Sequence, residues 1–305
     1  MLLHIGKDKQ FISFVHMKIA QNNVEAVEQY LKENLSSFYS EREIVLFTDI
    51  LLQDLLAISK SQRLMNSDIR LSESQLLQII YAAKDLKKYK PIQYITGKAF
   101  FANLELEVDE NVLIPRPETE ELFSLIVQEN ESPKVVIDFC TGSGCLALAL
   151  KSKFPQAQVY ASDVSKGALK VSQKNAAKNN LEVQFIENDI LLSPSRLQAF
   201  PNNVDVIVSN PPYVLESDKK EMSANVLQYE PHLALFVEDE NAIVFYKKIG
   251  DLAFELLNAG GKLYFEIHEN KALEVQEYLQ SIGFTYVQIK KDIYEKDRFV
   301  SALKH

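Results

Sequence analysis

The tetrapeptide Asn210-Pro211-Pro212-Tyr213 gathers in four residues the groups needed to hold a planar nitrogen nucleophile. The Asn210 side-chain oxygen accepts a hydrogen bond from an –NH2 group, and so does the Pro211 carbonyl. Pro211 and Pro212 carry no competing N–H and stiffen the chain, and Tyr213 adds a flat ring. Two acceptors beside a flat ring suit a planar amide or amine. A tight turn with the tyrosine packed on a sheet edge accounts for the same four letters, so their context has to decide. They follow Val204-Asp205-Val206-Ile207-Val208-Ser209, a β-branched apolar run that reads as a buried strand, which the prolines end at Asn210. In an open parallel sheet, ligands bind outside the carboxyl ends of the strands.

A second constellation lies upstream. Asp138-Phe139-Cys140-Thr141-Gly142-Ser143-Gly144-Cys145 closes one strand and opens a helix over 146–151. Gly142 and Gly144 permit a sharp turn and close backbone approach to a ligand. No lysine follows the glycines, which argues against a phosphate-binding P-loop. Ala147 is a permitted variant of the dinucleotide fingerprint, so this loop alone leaves a dehydrogenase open. The next strand ends in Ala161-Ser162-Asp163, where an acid can bind the two hydroxyls of a ribose or simply cap the following helix. The third ends in Asn188-Asp189-Ile190, placed to meet the edge and face of an adenine. A dinucleotide site has no need of the fourth element, Asn210-Pro211-Pro212-Tyr213.

The elements that must position these groups follow from periodicity. Strands are expected over 135–139, 159–163, 183–188, 204–210, 262–267, 284–290 and 298–303, with helices over 165–180, 241–258 and 271–281 between them. This alternation predicts an α/β fold with a doubly wound, mostly parallel seven-stranded sheet. The last two strands are too close for a crossover helix and should pair antiparallel. Residues 1–90 show helical periodicity instead: 41–58 is rich in Leu and Ile, and Ser72 to Gln75 has capping-box spacing before a helix that Pro91 must stop. Between the two patterns, 92–97 and 100–108 alternate apolar and polar residues and read as a hairpin. The expected organisation is a helical bundle over 1–90 for substrate recognition, a hairpin connector over 91–110 and a catalytic domain over 111–305.

Composition narrows the classes further. The 305 residues are 47% apolar and 25% charged, an ordinary globular profile with room for a large domain and a small one. The net charge of −9 counts against extended wrapping of nucleic acid, although Lys84, Lys87, Lys88 and Lys90 form a local basic patch. No stretch of 18 apolar residues and no signal-peptide core is present, so no membrane association and a cytoplasmic location are expected. Cys140 and Cys145 lack metal-ligand spacing and read as buried free thiols, with no metal site expected.

Together these residues resemble the S-adenosylmethionine-dependent methyltransferases and, more narrowly, the release-factor glutamine methyltransferases. The resemblance rests on Pro91-Ile92-Gln93-Tyr94-Ile95-Thr96-Gly97, on Val112-Leu113-Ile114-Pro115-Arg116-Pro117-Glu118-Thr119-Glu120, on the 138–144 loop, on Asn210-Pro211-Pro212-Tyr213, on Tyr229-Glu230-Pro231 and on Asp297-Arg298. The plain reading of the Ile114–Glu120 run is a helix start capped by Glu118 or Thr119. The resemblance implies S-adenosylmethionine as cofactor, with S-adenosylhomocysteine as its product. Cys140, Thr141, Gly142, Ser143 and Gly144 would hold its methionine end, Asp163 its ribose, and Asp189 and Ile190 its adenine, with Asn210 at the transferred methyl. Asn210, Pro211, Pro212 and Tyr213 would hold the glutamine of a release factor's Gly-Gly-Gln tip, with Asn210, Pro211 and Tyr213 serving catalysis. Arg116 and Glu118 would order a loop over the site or touch the protein substrate, a structural ion pair being the alternative. Release factors are the implied partners, without stable nucleic-acid binding, and a monomer is expected. Three positions depart from the family pattern: Cys140, His268 and Glu295 stand where glycine is common. His268 reads as a satisfied structural residue. An adenine-amine methyltransferase and a binding protein with a vestigial cofactor site are the competing readings.

Overall fold

The computed structural model describes residues 19, 21–66, 68–192, 199–220 and 222–305. The chain divides between Gly97 and Lys98 into two compact units. In the first, α1 (Val24–Leu35), α2 (Glu41–Asp54), α3 (Lys60–Met65), α4 (Glu73–Leu86) and α5 (Ile92–Thr96) bury one apolar cluster that includes Leu31, Leu51, Leu52, Ile79 and Ile80. Ser72 and Gln75 form the expected capping box at the head of α4. The hairpin expected to begin at Ile92 begins later. Residues 92–96 are helical because Pro91 precedes them and Gly97, at φ +71°, ends the turn with its N–H on the Gln93 carbonyl. A five-residue apolar/polar alternation is too short to separate the two periods.

The second unit opens with the hairpin β1 (Lys98–Phe101) and β2 (Leu104–Glu107), followed by α6 (Pro117–Glu129). Then β3 (Val135–Phe139), α7 (Cys145–Lys153), β4 (Gln158–Asp163), α8 (Lys166–Lys178), β5 (Gln184–Glu187) and β6 (Val204–Ser209) alternate as expected. Two short strands, β7 (Val214–Leu215) and β8 (Phe236–Val237), pair in parallel outside the main sheet, with α9 (Ala224–Tyr229) between them. The chain ends with α10 (Val244–Leu256), β9 (Leu257–Glu266), α11 (Ala272–Ser281), β10 (Thr285–Lys291) and β11 (Asp297–Leu303).

The seven-stranded sheet runs β10-β11-β9-β6-β3-β4-β5. All its neighbours are parallel except β11, which is antiparallel to both β9 and β10. Both faces are buried, and the period of two sorts the side chains between them. Ile137, Phe139, Ile207 and Leu263 pack with Tyr246, Ile249, Val275 and Leu279 of α10 and α11. Val136, Val206, Val208 and Tyr264 face the other way, onto Leu122 and Ile126 of α6 and the apolar run of α7. Among the described residues no helix is long and apolar enough to cross a membrane.

The turn between β10 and β11 is organised by Asp292, whose carboxylate accepts from the Tyr294 and Lys296 backbones and from Arg298 Nε at 3.2 Å. Within it Glu295 holds a left-handed backbone, φ +63°, so the glycine-type conformation persists without the glycine. A left-handed L-residue costs roughly 1–2 kcal/mol. Glu295→Gly should therefore raise stability by about 1 kcal/mol after its own entropy is charged, measurable as an upward shift in urea midpoint at unchanged slope.

Candidate active site

Asp138, the fourth residue of β3, is 1% exposed and anchors the loop that follows. One of its oxygens accepts from Thr141 Oγ1 at 2.6 Å and from the Ala147 backbone of α7 at 3.2 Å. Asp163, at the end of β4, accepts from the Gly142 backbone on one oxygen and from the Ser165 backbone on the other, both at 2.9 Å. From α8, Asn175 reaches the Ser143 carbonyl at 3.0 Å and bonds both the N–H and the carbonyl of Glu107, tying the loop to the hairpin. The loop backbone is left-handed at Cys140, Gly142 and Gly144. A Cβ on Gly144 would lie 3.0 Å from that of Ser172, whereas one on Gly142 would meet nothing within 4 Å. The first glycine of the pair thus opens the ligand side and the second lets α8 pack close.

At the carboxyl end of β6, Asn210 Nδ2 donates to Thr119 Oγ1 at 3.0 Å, and Thr119 Oγ1 donates to Glu266 Oε2 at 2.7 Å. The Tyr213 hydroxyl donates to Glu266 Oε1 at 2.9 Å. Glu266 is 1% exposed at the end of β9. A third buried acid, Glu230, accepts from the Ile114 backbone at 3.3 Å and from Arg116 Nη2 at 2.6 Å. It thereby fastens the segment before α6 to the Pro231 turn.

One cleft is lined by Cys140, Thr141, Gly142, Ser143, Asp163, Asp189, Ile190, Asn210, Pro212 and Arg116, bringing together residues that the chain spreads over four strand ends and the segment before α6. Gly144, Pro211, Tyr213 and Glu118 stand behind or beside it. Helix α6 starts at Pro117 with Arg116 at its N-cap and no side-chain cap bond, so neither Glu118 nor Thr119 caps it. Thr119, at the third helical position, spends its hydroxyl on Glu266 instead. Arg116 is in an ion pair with Glu230. Cys140 and Cys145 are free thiols as expected, but only half-buried by surface. His268 accepts from the Asn270 N–H on Nδ1, which leaves Nε2 to donate to Asp218 at 3.2 Å, a satisfied structural histidine. Asn175 and Glu266 carry no motif signal, and the motifs that contain Thr119 and Glu230 do not reveal their roles; the four side chains act through partners 32 to 147 positions away in sequence.

Burial pushes the Asp138 carboxyl up to about 7, against the pull of Thr141 and the Ala147 N–H. It raises Asp163 and Glu266 as well, the latter despite Thr119, Tyr213 and Arg298. Burial likewise raises both thiols, which keeps them unreactive. A carboxyl whose folded pKa is raised contributes stability that is present below its unfolded value and is lost as pH rises through the folded one. Asp138→Asn keeps the shape and an acceptor oxygen but cannot titrate. The parental melting temperature should therefore fall more steeply than the variant's between about pH 4 and pH 7. Parallel pH curves for the two proteins would refute the assignment.

The strand order with its antiparallel final pair, a glycine loop after β3 and acids closing β4 and β5 define a Rossmann-like methyltransferase domain. In the comparisons, residues 118–251 match the Methyltransferase small domain model and residues 27–97 the PrmC N-terminal domain model. A methyltransferase structure from Pyrococcus furiosus superposes with TM-score 0.50 at 20% identity, over 76% of this chain and 99% of that one, a likeness of fold. The release factor glutamine methyltransferase of Flavobacterium psychrophilum is 45% identical over 88% of this chain and 94% of its own length. That of Bacteroides thetaiotaomicron is 40% identical over 90% and 98%. This chain belongs to the release factor glutamine methyltransferase family.

Proposed function

We propose that the chain methylates the side-chain nitrogen of the Gly-Gly-Gln glutamine of peptide chain release factors, with S-adenosylmethionine as donor. The observation that carries this reading is that Asn210 lines the same cleft as the β3 loop and the β4 and β5 ends. Kinship at 45% and 40% identity favours a protein carboxamide over an adenine amine. The cleft fits the cofactor. Each Asp163 oxygen accepts one backbone N–H and keeps a lone pair for a ribose hydroxyl. Asn188 Oδ1 is buried in the cleft wall without a hydrogen-bond partner among the described residues, an acceptor that suits an adenine amino group. Asp189 and Ile190 border the same region, and Thr141, Gly142 and Ser143 offer backbone to the methionine end.

The cofactor, when bound, supplies an electrophilic methyl group on a sulfonium. What remains for the protein is to present a poor nucleophile, since an amide lone pair is delocalised into its carbonyl. Asn210 Oδ1 and the Pro211 carbonyl accept the two amide N–H bonds, aim the nitrogen and stabilise positive charge as it develops there. The Tyr213 ring, steadied through its hydroxyl on Glu266, packs on the amide plane. Once the nitrogen carries the methyl it is strongly acidic and gives its surplus proton to water, so no carboxylate base is required. Arg116, paired with Glu230, orders the wall of the site, and Glu118 contacts the protein substrate. The helical unit docks the release factor.

The test is reaction of the purified chain with labelled S-adenosylmethionine and a release factor, followed by peptide mass mapping of the acceptor residue. Asn210→Ala should lower kcat by about 10²-fold or more, by the scale of one lost transition-state hydrogen bond, with cofactor binding and melting temperature intact. Turnover near the parental rate in that variant would overturn the mechanism.

A further inference from the structure

The sense of the hydrogen bonds behind Asn210 is fixed by counting protons. With Glu266 ionised, the form that the Thr119 and Tyr213 hydroxyls and the nearby Arg298 favour against burial, its carboxylate only accepts, Oε2 from Thr119 and Oε1 from Tyr213. Thr119 has one hydroxyl proton, and it lies on Glu266. Toward Asn210, 3.0 Å away, Thr119 therefore presents only lone pairs. The Asn210 group facing it has to be the amide nitrogen. Turning that amide over would set its carbonyl oxygen against a hydroxyl oxygen whose proton is committed elsewhere, two acceptors in contact. It would also turn an –NH2 toward an incoming –NH2, two donors in contact. Burial of Thr119 and Glu266, at 3% and 1% exposure, keeps water from supplying a substitute proton or acceptor.

We propose that Thr119 and Glu266 are positioning residues for glutamine methylation: the buried carboxylate orients the threonine hydroxyl, which locks the Asn210 carboxamide with its oxygen toward the substrate. Neither touches the substrate. Selection of an N–H-bearing group in the cleft is thus set two bonds away, from the ends of α6 and β9. The inference rests on the proposed role of Asn210 as acceptor and adds what gives that acceptor its direction. Tyr213 shares the same carboxylate, so one buried acid holds both side chains of the tetrapeptide that flank the substrate amide.

The experiment compares full-length Thr119→Val, Thr119→Ser, Glu266→Met and Asn210→Ala, with a release factor as substrate at saturating S-adenosylmethionine. Cofactor affinity is read by calorimetry. Valine matches threonine in shape but offers no lone pair, so Asn210 is free to turn. Turnover should fall on the order of 10²-fold, the scale of a misplaced reacting geometry, with KM and cofactor affinity parental. Serine keeps the hydroxyl and should recover most of that loss, which a packing role for the threonine methyl would not. In Glu266→Met the Thr119 proton loses its acceptor and swings to Asn210, so kcat should fall in the same way. This variant decides the matter where Thr119→Val fails to fold, an apolar residue of similar volume being tolerated at many buried acids. Parental turnover in Thr119→Val or Glu266→Met, with Asn210→Ala inactive, would overturn the inference and leave the acceptor role of Asn210 standing. Parental turnover in Asn210→Ala would overturn both.

Discussion

β3 and β6 lie side by side and parallel at the middle of the sheet, and the chain leaves them in opposite directions, toward β4 and β5 on one side and β9 on the other. Their carboxyl-terminal loops therefore separate, and the gap between them is where a ligand can enter without displacing a packed element. Every group of the site depends on this divergence. The β3 loop and the β4 and β5 ends fall on one bank, Asn210 on the other. Ser209 Oγ, bonded to the Phe139 carbonyl at 2.7 Å, holds the banks in register where they part. A donor site and an acceptor site on neighbouring strands keep a fixed separation because the strand spacing fixes it. The sheet thus supplies the alignment that a direct methyl transfer demands, and the loops supply the chemistry.

Three carboxylates whose charge is disfavoured by burial stand around this gap, with Glu230, paired to Arg116, as a fourth acid beside them. Asp138, Asp163 and Glu266 all have their charged forms disfavoured by burial, so each costs the fold something at neutral pH. What they secure is geometry. Each accepts from two donors on different segments: Asp138 joins the loop to α7, Asp163 joins it to β4, and Glu266 joins α6 to the tetrapeptide after β6. Hydrogen bonds to a buried charge are stronger and more directional than neutral ones. The expense of desolvation is concentrated where a small displacement would cost the most rate.

Local signals were legible and long-range ones were not. The β-branched runs at 135–139 and 204–209 gave their strands away because burial on both faces leaves continuous apolar sequence. The loop glycines and the diproline were readable for a related reason, since backbone freedom and stiffness are properties of single residues. Thr119 looked like a helix cap because its partner, Glu266, is 147 positions on, and spacing along a chain says nothing about neighbours across a sheet. Asn175 was hidden inside a helical pattern, although its inward amide is what ties α8 to the loop. The order of strands was equally out of reach of periodicity, which reports faces and not neighbours. Residues 92–96 mark the other limit: five residues carry too few turns for either period to prevail, and the capping geometry at Gly97 decides.

The cysteine in the β3 loop shows how a site can change a residue and keep its backbone. Cys140 has φ +59°, the conformation for which glycine is favoured, so the loop tolerates about 1–2 kcal/mol of strain there. It can do so because the neighbours are over-determined: Thr141 by Asp138 and the Ser162 carbonyl, Gly142 by Asp163, and Ser143 by Asn175. The thiol itself interacts with the Ser209 hydroxyl on the adjoining strand. A side chain drawn to β6 does not fill the approach over Gly142, where an added Cβ would meet no atom within 4 Å. Close contact with a ligand then passes to the backbone of Thr141 and Gly142. A bulkier or β-branched residue at 140 would meet the same left-handed requirement without the small polarisable sulfur, and the loop would have to yield at the face that receives the cofactor.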